Sequence, residues 1–200
     1  MHQLIKMTNL DNFNTYESFS HGLVTSKIWL CEQLEKVLGD RESATINILG
    51  CWDNLLAFML VVRKPTYYKE LHGYDIDPKS IAVANKICDA WLFEATKIYN
   101  HVADANSIHF VDNTHVFINC SVDQFKSNEW FDNIPIGSLV CIQSSDMPID
   151  NDKWEITQSV GSLTELEERY KMSKVLYKGD FYIDYGTWGY TRFMLIGIKK

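Results

Sequence analysis

Ile46-Asn-Ile-Leu-Gly50 is a short apolar run that stops at a glycine, and Leu71-His-Gly-Tyr-Asp75 is a second one that ends on an acid 25 residues later. Between them, Asn54 to Val62 has the pattern of a helix. Strand, glycine turn, helix, then strand ending on a carboxylate is the order of parts by which a parallel sheet holds a nucleoside. Backbone N–H groups sit near one end of the ligand, and the carboxylate accepts both ribose hydroxyls.

The rest of the chain continues the alternation. Ser26 to Leu38 carries apolar residues at helical spacing and is closed by Gly39-Asp40. After the second strand, Asp77-Pro78 predicts a helix start, with Asp77 as N-cap and Pro78 at the first helical position, and the helix runs on through Trp91. Ile108–Val111 reads as a third strand, Val116–Cys120 as a fourth and Gly137–Gln143 as a fifth, with an acidic helix at Leu163–Tyr170. The near-continuous apolar runs suit parallel strands covered on both faces. Two last segments, Lys174–Ile183 and Arg192–Lys199, flank a Gly-rich loop and read as an antiparallel pair at a sheet edge. Alternation with a late hairpin makes this an α/β chain. No repeat, low-complexity tract or linker marks an internal boundary, so residues 1–200 are expected to form one domain, with a helical segment in 1–40 packed on it.

Composition narrows the function. A chain of 200 residues, 46% hydrophobic and 13% aromatic, can bury a full core. No stretch approaches the ~20 apolar residues of a membrane span, and the first residues carry no secretion signal. Five widely spaced cysteines (Cys31, Cys51, Cys88, Cys120, Cys141) fit buried free thiols in a reducing compartment, which points to the cytoplasm. A net charge of -7 argues against a nucleic-acid partner, whose affinity is largely electrostatic. The six histidines show no metal-ligand spacing, and no phosphate loop or GxSxG elbow is present.

Several residues could carry a site. Gly50 permits a tight turn with close backbone approach to a ligand; alternatively it is a simple strand-to-helix turn. Asp75 is placed to take the 2′ and 3′ hydroxyls of a ribose, the alternatives being a turn cap or a role for Asp77 instead. Asp104, read as lying just before the third strand, could reach a purine's exocyclic amine or be an ordinary loop residue. Asn119-Cys120-Ser121 ends the fourth strand, where a parallel sheet opens its crevice. Cys120 reads as a buried thiol rather than a nucleophile. Tyr182, Tyr185, Trp188 and Tyr190 crowd the terminal hairpin, where they could line an acceptor pocket, form a dimer contact and so make a homo-oligomer, or simply pack the sheet.

At these residues the sequence resembles the class I S-adenosylmethionine-dependent methyltransferases. The resemblance implies a Rossmann-like doubly wound sheet of about seven strands, in the order 3-2-1-4-5-7-6, mostly parallel with a C-terminal antiparallel hairpin. Gly50 matches the first glycine of the family's E/D-x-G-x-G-x-G loop. Ile48 stands at the acid, Trp52 at the second glycine and Asn54 at the third. Asp75 matches the ribose acid and Asp104 the adenine-side acid. The cofactor contacts thus implied are Gly50, Cys51, Trp52, Asp75, Ile76, Asp104, Asn119 and Cys120, with no metal. The sequence also resembles small bacteriophage-encoded proteins of this type, which show a Gly-x-Trp-x-Gly loop and an Asn-Thr-Ser-Cys-Glu-His segment where this chain has Asn119-Cys-Ser-Val-Asp-Gln124. The loops typical of DNA base methylators, [DNS]PP[YFW] or Pro-Cys, are absent. The implied activity is methyl transfer from S-adenosylmethionine to a small molecule or a protein side chain, with Asn119, Ser121 and Asp123 orienting the acceptor. Methyl transfer needs alignment and dryness more than a base, so no catalytic residue is named. The lost glycines and the altered 119–124 segment support a second reading, a non-catalytic relative that serves as a binding or assembly module.

Overall fold

The computed structural model describes residues 15–39, 44–89, 96–111, 115–149 and 154–200. They fall into two compact units, 1–105 and 106–200, which are taken in turn.

The first unit runs α1 (Thr15–Ser18), α2 (His21–Leu38), β1 (Ala44–Leu49), α3 (Leu55–Arg63), β2 (Tyr68–Asp75), α4 (Pro78–Asp89) and β3 (Lys97–Val102). Its strands lie in the order β3-β2-β1, and both pairings are parallel. Ile46, Ile48, Leu49 and Leu71 are fully buried, as the apolar runs required. α2 starts five residues before the predicted Ser26 and buries the stripe Leu30, Leu34 and Leu38. Its outer end is fixed by a two-pronged ion pair, Arg63 Nε to Glu35 Oε1 at 2.7 Å and Nη2 to Oε2 at 3.0 Å, and by Tyr67 OH donating to the Gly39 carbonyl.

α4 begins as expected. Asp77 caps it, accepting the Lys79 N–H at 3.0 Å and the Ser80 N–H at 3.1 Å, with Pro78 at the first helical position. Burial works to raise the Asp77 carboxyl, but these bonds outweigh it and hold the group below its usual range. The helix is described to Asp89; Trp91, like Asp40 at the end of α2, lies outside the described residues.

The third strand is not where the apolar pattern placed it. It is Lys97–Val102, while Ile108–Val111 has no regular structure. Lys-Ile-Tyr-Asn-His-Val carries no continuous apolar run because β3 is the outer strand of its unit and stays partly open to solvent. Asp104 therefore follows the third strand rather than preceding it.

The second unit runs β4 (Val116–Asn119), a 3-10 turn at Val122–Gln124, α5 (Glu129–Asp132), β5 (Leu139–Ser145), α6 (Leu163–Arg169), β6 (Met172–Asp184) and β7 (Gly189–Lys199). Its strands lie in the order β4-β5-β7-β6. β4 and β5 are parallel, and β7 is antiparallel to both of its neighbours. Every residue of β4 and β5 is buried. The terminal hairpin is present, but only β6 is an edge; β7 is an inner strand, which accounts for its apolar run Phe193–Ile196. Trp130, Phe131 and Tyr170 form an aromatic knot with centroids 5.2–5.6 Å apart. Buried Lys199 donates to the Asp132 carbonyl at 2.8 Å and lies over the Phe131 ring.

The described strands total seven in one sheet, mostly parallel with the antiparallel pairings at the C-terminal end. This is the α/β architecture that the alternation predicted. Among the described residues no helix is long and apolar enough to cross a membrane.

Candidate functional site

In the first unit the residues after β1 turn sharply. Gly50, Trp52 and Asn54 all hold positive φ, at 66°, 53° and 53°. Glycine takes this conformation freely and asparagine tolerates it, whereas a tryptophan is strained there by about 1–2 kcal/mol. Three main-chain bonds hold the turn. The Cys51 N–H donates to the Tyr74 carbonyl at 3.0 Å, the Trp52 N–H to Asp75 Oδ2 at 2.8 Å, and the Asn54 N–H to the Cys51 carbonyl at 2.8 Å. The bond to Asp75 is charge-assisted, so it offsets the strain at Trp52.

The Asn54 side chain is buried and donates from Nδ2 to Asn100 Oδ1 at 2.7 Å. Asn100 in turn donates to Asn85 Oδ1 at 2.9 Å. An amide chain thus runs from the loop through β3 to α4. Gly73 makes room for it: a Cβ there would lie 2.9 Å from both Asn54 Cγ and Cys51 Sγ.

Asp53 is a residue the sequence reading passed over, because it sits between the positions compared with glycines. Its Oδ1 accepts the Leu55 N–H at 3.2 Å. Burial raises its pKa, while Ser18 and the Lys27 charge oppose that shift. Ser18 and Lys27 are themselves buried, so α1 and α2 reach the loop through polar groups.

Asp75 ends β2. Besides Trp52, it accepts the Asp77 N–H on Oδ1 at 3.0 Å. Its carboxyl is pushed up, chiefly by burial, against the pull of the Asp77 and Trp52 N–H groups. Each carboxylate oxygen keeps a further lone pair for a hydroxyl donor. Beside it the unit leaves two aliphatic side chains open, Ile76 at 70% and Val102 at 57% exposure. Val102 is the register partner of Asp75 across β2–β3, and the Ala103 N–H donates to the Asp75 carbonyl at 2.8 Å. Asp104 follows one residue later, half-buried.

In the second unit Asn119 ends β4, buried, and its Oδ1 accepts the Ser121 N–H at 3.1 Å. Its Nδ2 has no partner among the described residues. Ser121 is half-buried at the start of the 3-10 turn. Cys120 is buried and its carbonyl accepts Arg192 Nη2. Asp123, expected at the crevice mouth, is instead enclosed. It takes Arg192 Nη1 at 3.2 Å and the Ser145 hydroxyl on Oδ2, and its carbonyl takes the Thr157 and Gln158 N–H groups at 2.8 and 3.0 Å. Arg192 lies 69 residues away in sequence and could not be paired with Asp123 by local reading. On the hairpin, Tyr185 and Trp188 stack at 4.5 Å and 7°, Tyr182 is exposed, and Tyr190 is buried against Met147, Ile156 and Ile183.

Among the described residues no group of three or more His, Cys, Asp or Glu is arranged to hold a metal ion, and all five cysteines are free thiols.

No protein-family profile and no curated protein matches the sequence. Solved structures do match. The YcgJ protein of Bacillus subtilis aligns over 86% of this chain and 98% of its own, with a TM-score of 0.65 at 11% identity. A geranyl diphosphate methyltransferase in complex with S-adenosylmethionine aligns over 90% and 92%, with a TM-score of 0.62 at 11% identity. The fold is that of the class I methyltransferases. It is not confined to them by name: the [4+2]-cyclase SpnF aligns over 87% of this chain and 81% of its own, with a TM-score of 0.64 at 12% identity. This chain holds a left-handed backbone at residues 50, 52 and 54 while carrying glycine only at the first.

Proposed function

We propose that the protein binds S-adenosylmethionine through its first unit and transfers the methyl group to a small molecule or a protein side chain. The observation that carries this reading is Asp75, a half-buried carboxylate with lone pairs to spare, flanked by exposed Ile76 and Val102. A carboxylate beside an open aliphatic shelf suits a ribose joined to a flat, apolar-faced base. Gly50, Cys51 and Trp52 would hold the ligand's other end, and Asp104 the edge of the base. Bound there, S-adenosylmethionine would supply a methyl group activated on a sulfonium. Asn119, through its unpartnered Nδ2, and Ser121 are the acceptor-orienting candidates. Asp123 acts on them indirectly, by fixing the turn that follows. The likeness in the loop and the 119–124 segment to small bacteriophage-encoded proteins belongs to the same reading, as does a cytoplasmic location.

One observation favours the non-catalytic alternative. The carboxylate nearest the expected acceptor mouth, Asp123, is already neutralised by Arg192, so no free acid or base stands there among the described residues of that segment.

Thermal melting with S-adenosylmethionine, S-adenosylhomocysteine and NAD⁺ tests the proposal on wild type and Asp75→Ala. A ligand at 100 times its Kd adds about 2.7 kcal/mol, or roughly 5–10 °C in a chain of this size. A shift with the two S-adenosyl ligands only, lost in Asp75→Ala, is expected. No shift at millimolar ligand would remove the methyltransferase reading and leave the binding module.

A further inference from the structure

On the face of the first unit's sheet opposite Gly73 and Asn100, four rings stand together. His72 faces Tyr99 and Tyr74 faces His101 in register across β2–β3. The pairs stack at 5.0 and 4.8 Å, with planes 21° and 19° apart. The two histidines meet differently. Their planes are 12° apart and their centroids 5.4 Å, yet His72 Nδ1 lies 3.2 Å from His101 Nε2. The rings therefore touch edge to edge through nitrogen, as a hydrogen bond between imidazoles requires. On its other side, His72 Nε2 faces Glu70 Oε2 at 3.4 Å.

That chain dictates where protons sit. Glu70 accepts from His72 Nε2–H, which leaves His72 Nδ1 as the acceptor for His101 Nε2–H. One added proton is tolerated, since His101 can shift to its Nδ1–H tautomer and accept from His72. A second leaves N–H groups opposed across 3.2 Å, and the link must open. Among the described residues of the three strands, the other charged or titratable groups on this face are Glu70 and Tyr74 from β2 and Lys97 and Tyr99 from β3; β1 presents Thr45, Asn47 and Leu49, of which Asn47 accepts the Tyr74 hydroxyl at 3.3 Å. Lys97 lies opposite Glu70 in register and competes for its charge.

We propose that Glu70, His72 and His101 form a proton-operated brace between β2 and β3, closed while one of the two facing ring nitrogens is unprotonated and opened when both carry a proton. Burial, aided by the neighbouring His72, already holds His101 below the ordinary imidazole value, so the closed state is the resting one. The brace has a functional address. His101 and Tyr74 immediately precede Val102 and Asp75, so opening it loosens the strand ends that carry the proposed nucleoside site. That last step alone rests on the proposed function; the brace itself does not.

Two readouts on the free protein test it. Long-range ¹H–¹⁵N NMR of the histidine rings should show His72 and His101 titrating in two coupled steps, with His72 Nε2 protonated throughout. Amide exchange, corrected for intrinsic rates, should show β3 losing about tenfold in protection as pH falls from neutrality to below the ordinary imidazole range. His101→Gln, which cannot charge, should flatten that dependence, and His72→Gln should do the same if the first variant fails to fold. Independent single-step titration of the two rings, or β3 protection indifferent to pH in the wild type, would overturn the proposal. Cofactor binding is measured separately, so failure of the methyltransferase reading leaves these outcomes untouched.

Discussion

The side-chain amide of Asn54 occupies the space that a side chain on Gly73 would need. A Cβ at residue 73 would come within 2.9 Å of Asn54 Cγ, closer still to Nδ2, and within 2.9 Å of Cys51 Sγ. The two positions are 19 residues apart in sequence and behave as one choice. With asparagine at this place in the loop, the strand beneath it needs a glycine.

That coupling is measurable. Gly73→Ala should destabilise by about 1–3 kcal/mol through overpacking, lowering Tm by roughly 2–10 °C. Asn54→Gly removes the obstructing amide but also the bond to Asn100. The double variant should be more stable than the sum of the two single losses predicts, with a coupling of at least about 0.5 kcal/mol. Additive losses in denaturant melts would show that the contact is not shared.

Trp52 holds φ at 53°, and this strain can be separated from whatever its indole does. Trp52→Ala and Trp52→Gly both delete the ring, but only the glycine relaxes the backbone. The glycine variant should exceed the alanine variant by about 1 kcal/mol in stability. Equal midpoints in chemical denaturation would mean the loop adopts another backbone in solution.

Because burial raises the Asp75 carboxyl above its ordinary 3.8, its charge is lost earlier than usual as pH falls. Between 3.8 and the folded-state value, the folded protein binds the extra proton, so the Asp75 contribution to stability declines as pH rises through that window. The same ionisation creates the acceptor a ribose needs. Affinity for S-adenosylhomocysteine should therefore rise with pH through that window and level off by neutrality. Calorimetric titration should find that dependence in the wild type, and little or no binding at any pH in Asp75→Asn.

In the second unit Arg192 and Asp123 are a buried ion pair, with 6% and 2% of their side chains exposed. Arg192→Met should cost about 3–5 kcal/mol by stranding a charge. Adding Asp123→Leu should recover part of it, even though the Ser145 and Cys120 contacts remain unmet. A second substitution that deepens the loss would indicate that Asp123 holds the turn mainly through its other partners.

How much of this was legible in the sequence depended on how each strand is covered. Ile46–Leu49, Val116–Asn119 and Leu139–Ile142 are buried along their length, and their apolar runs gave them away. β3 was misplaced because an outer strand open to solvent lacks an apolar run, and Ile108–Val111 imitated a buried one. Asp75 was readable because a strand end, a preceding glycine and a following Asp-Pro helix start all bracket it. Asp53, Gly73 and Arg192 were not, since their roles are set by contacts with Lys27, Asn54 and Asp123. Those contacts span 19 to 69 residues, beyond any local window.

β7 is the last strand in sequence but not in space: in the second unit it stands between β5 and β6. Seven of its eleven residues, Arg192–Ile198, pair on one side with Leu139–Ser145, and the strand pairs on the other with Met172–Asp184. Trimming the chain back through this strand would therefore not shave an end but split the unit down its middle. β6 would then lose its only strand neighbour among the described residues, so thirteen further residues would be set adrift by a cut that never touches them.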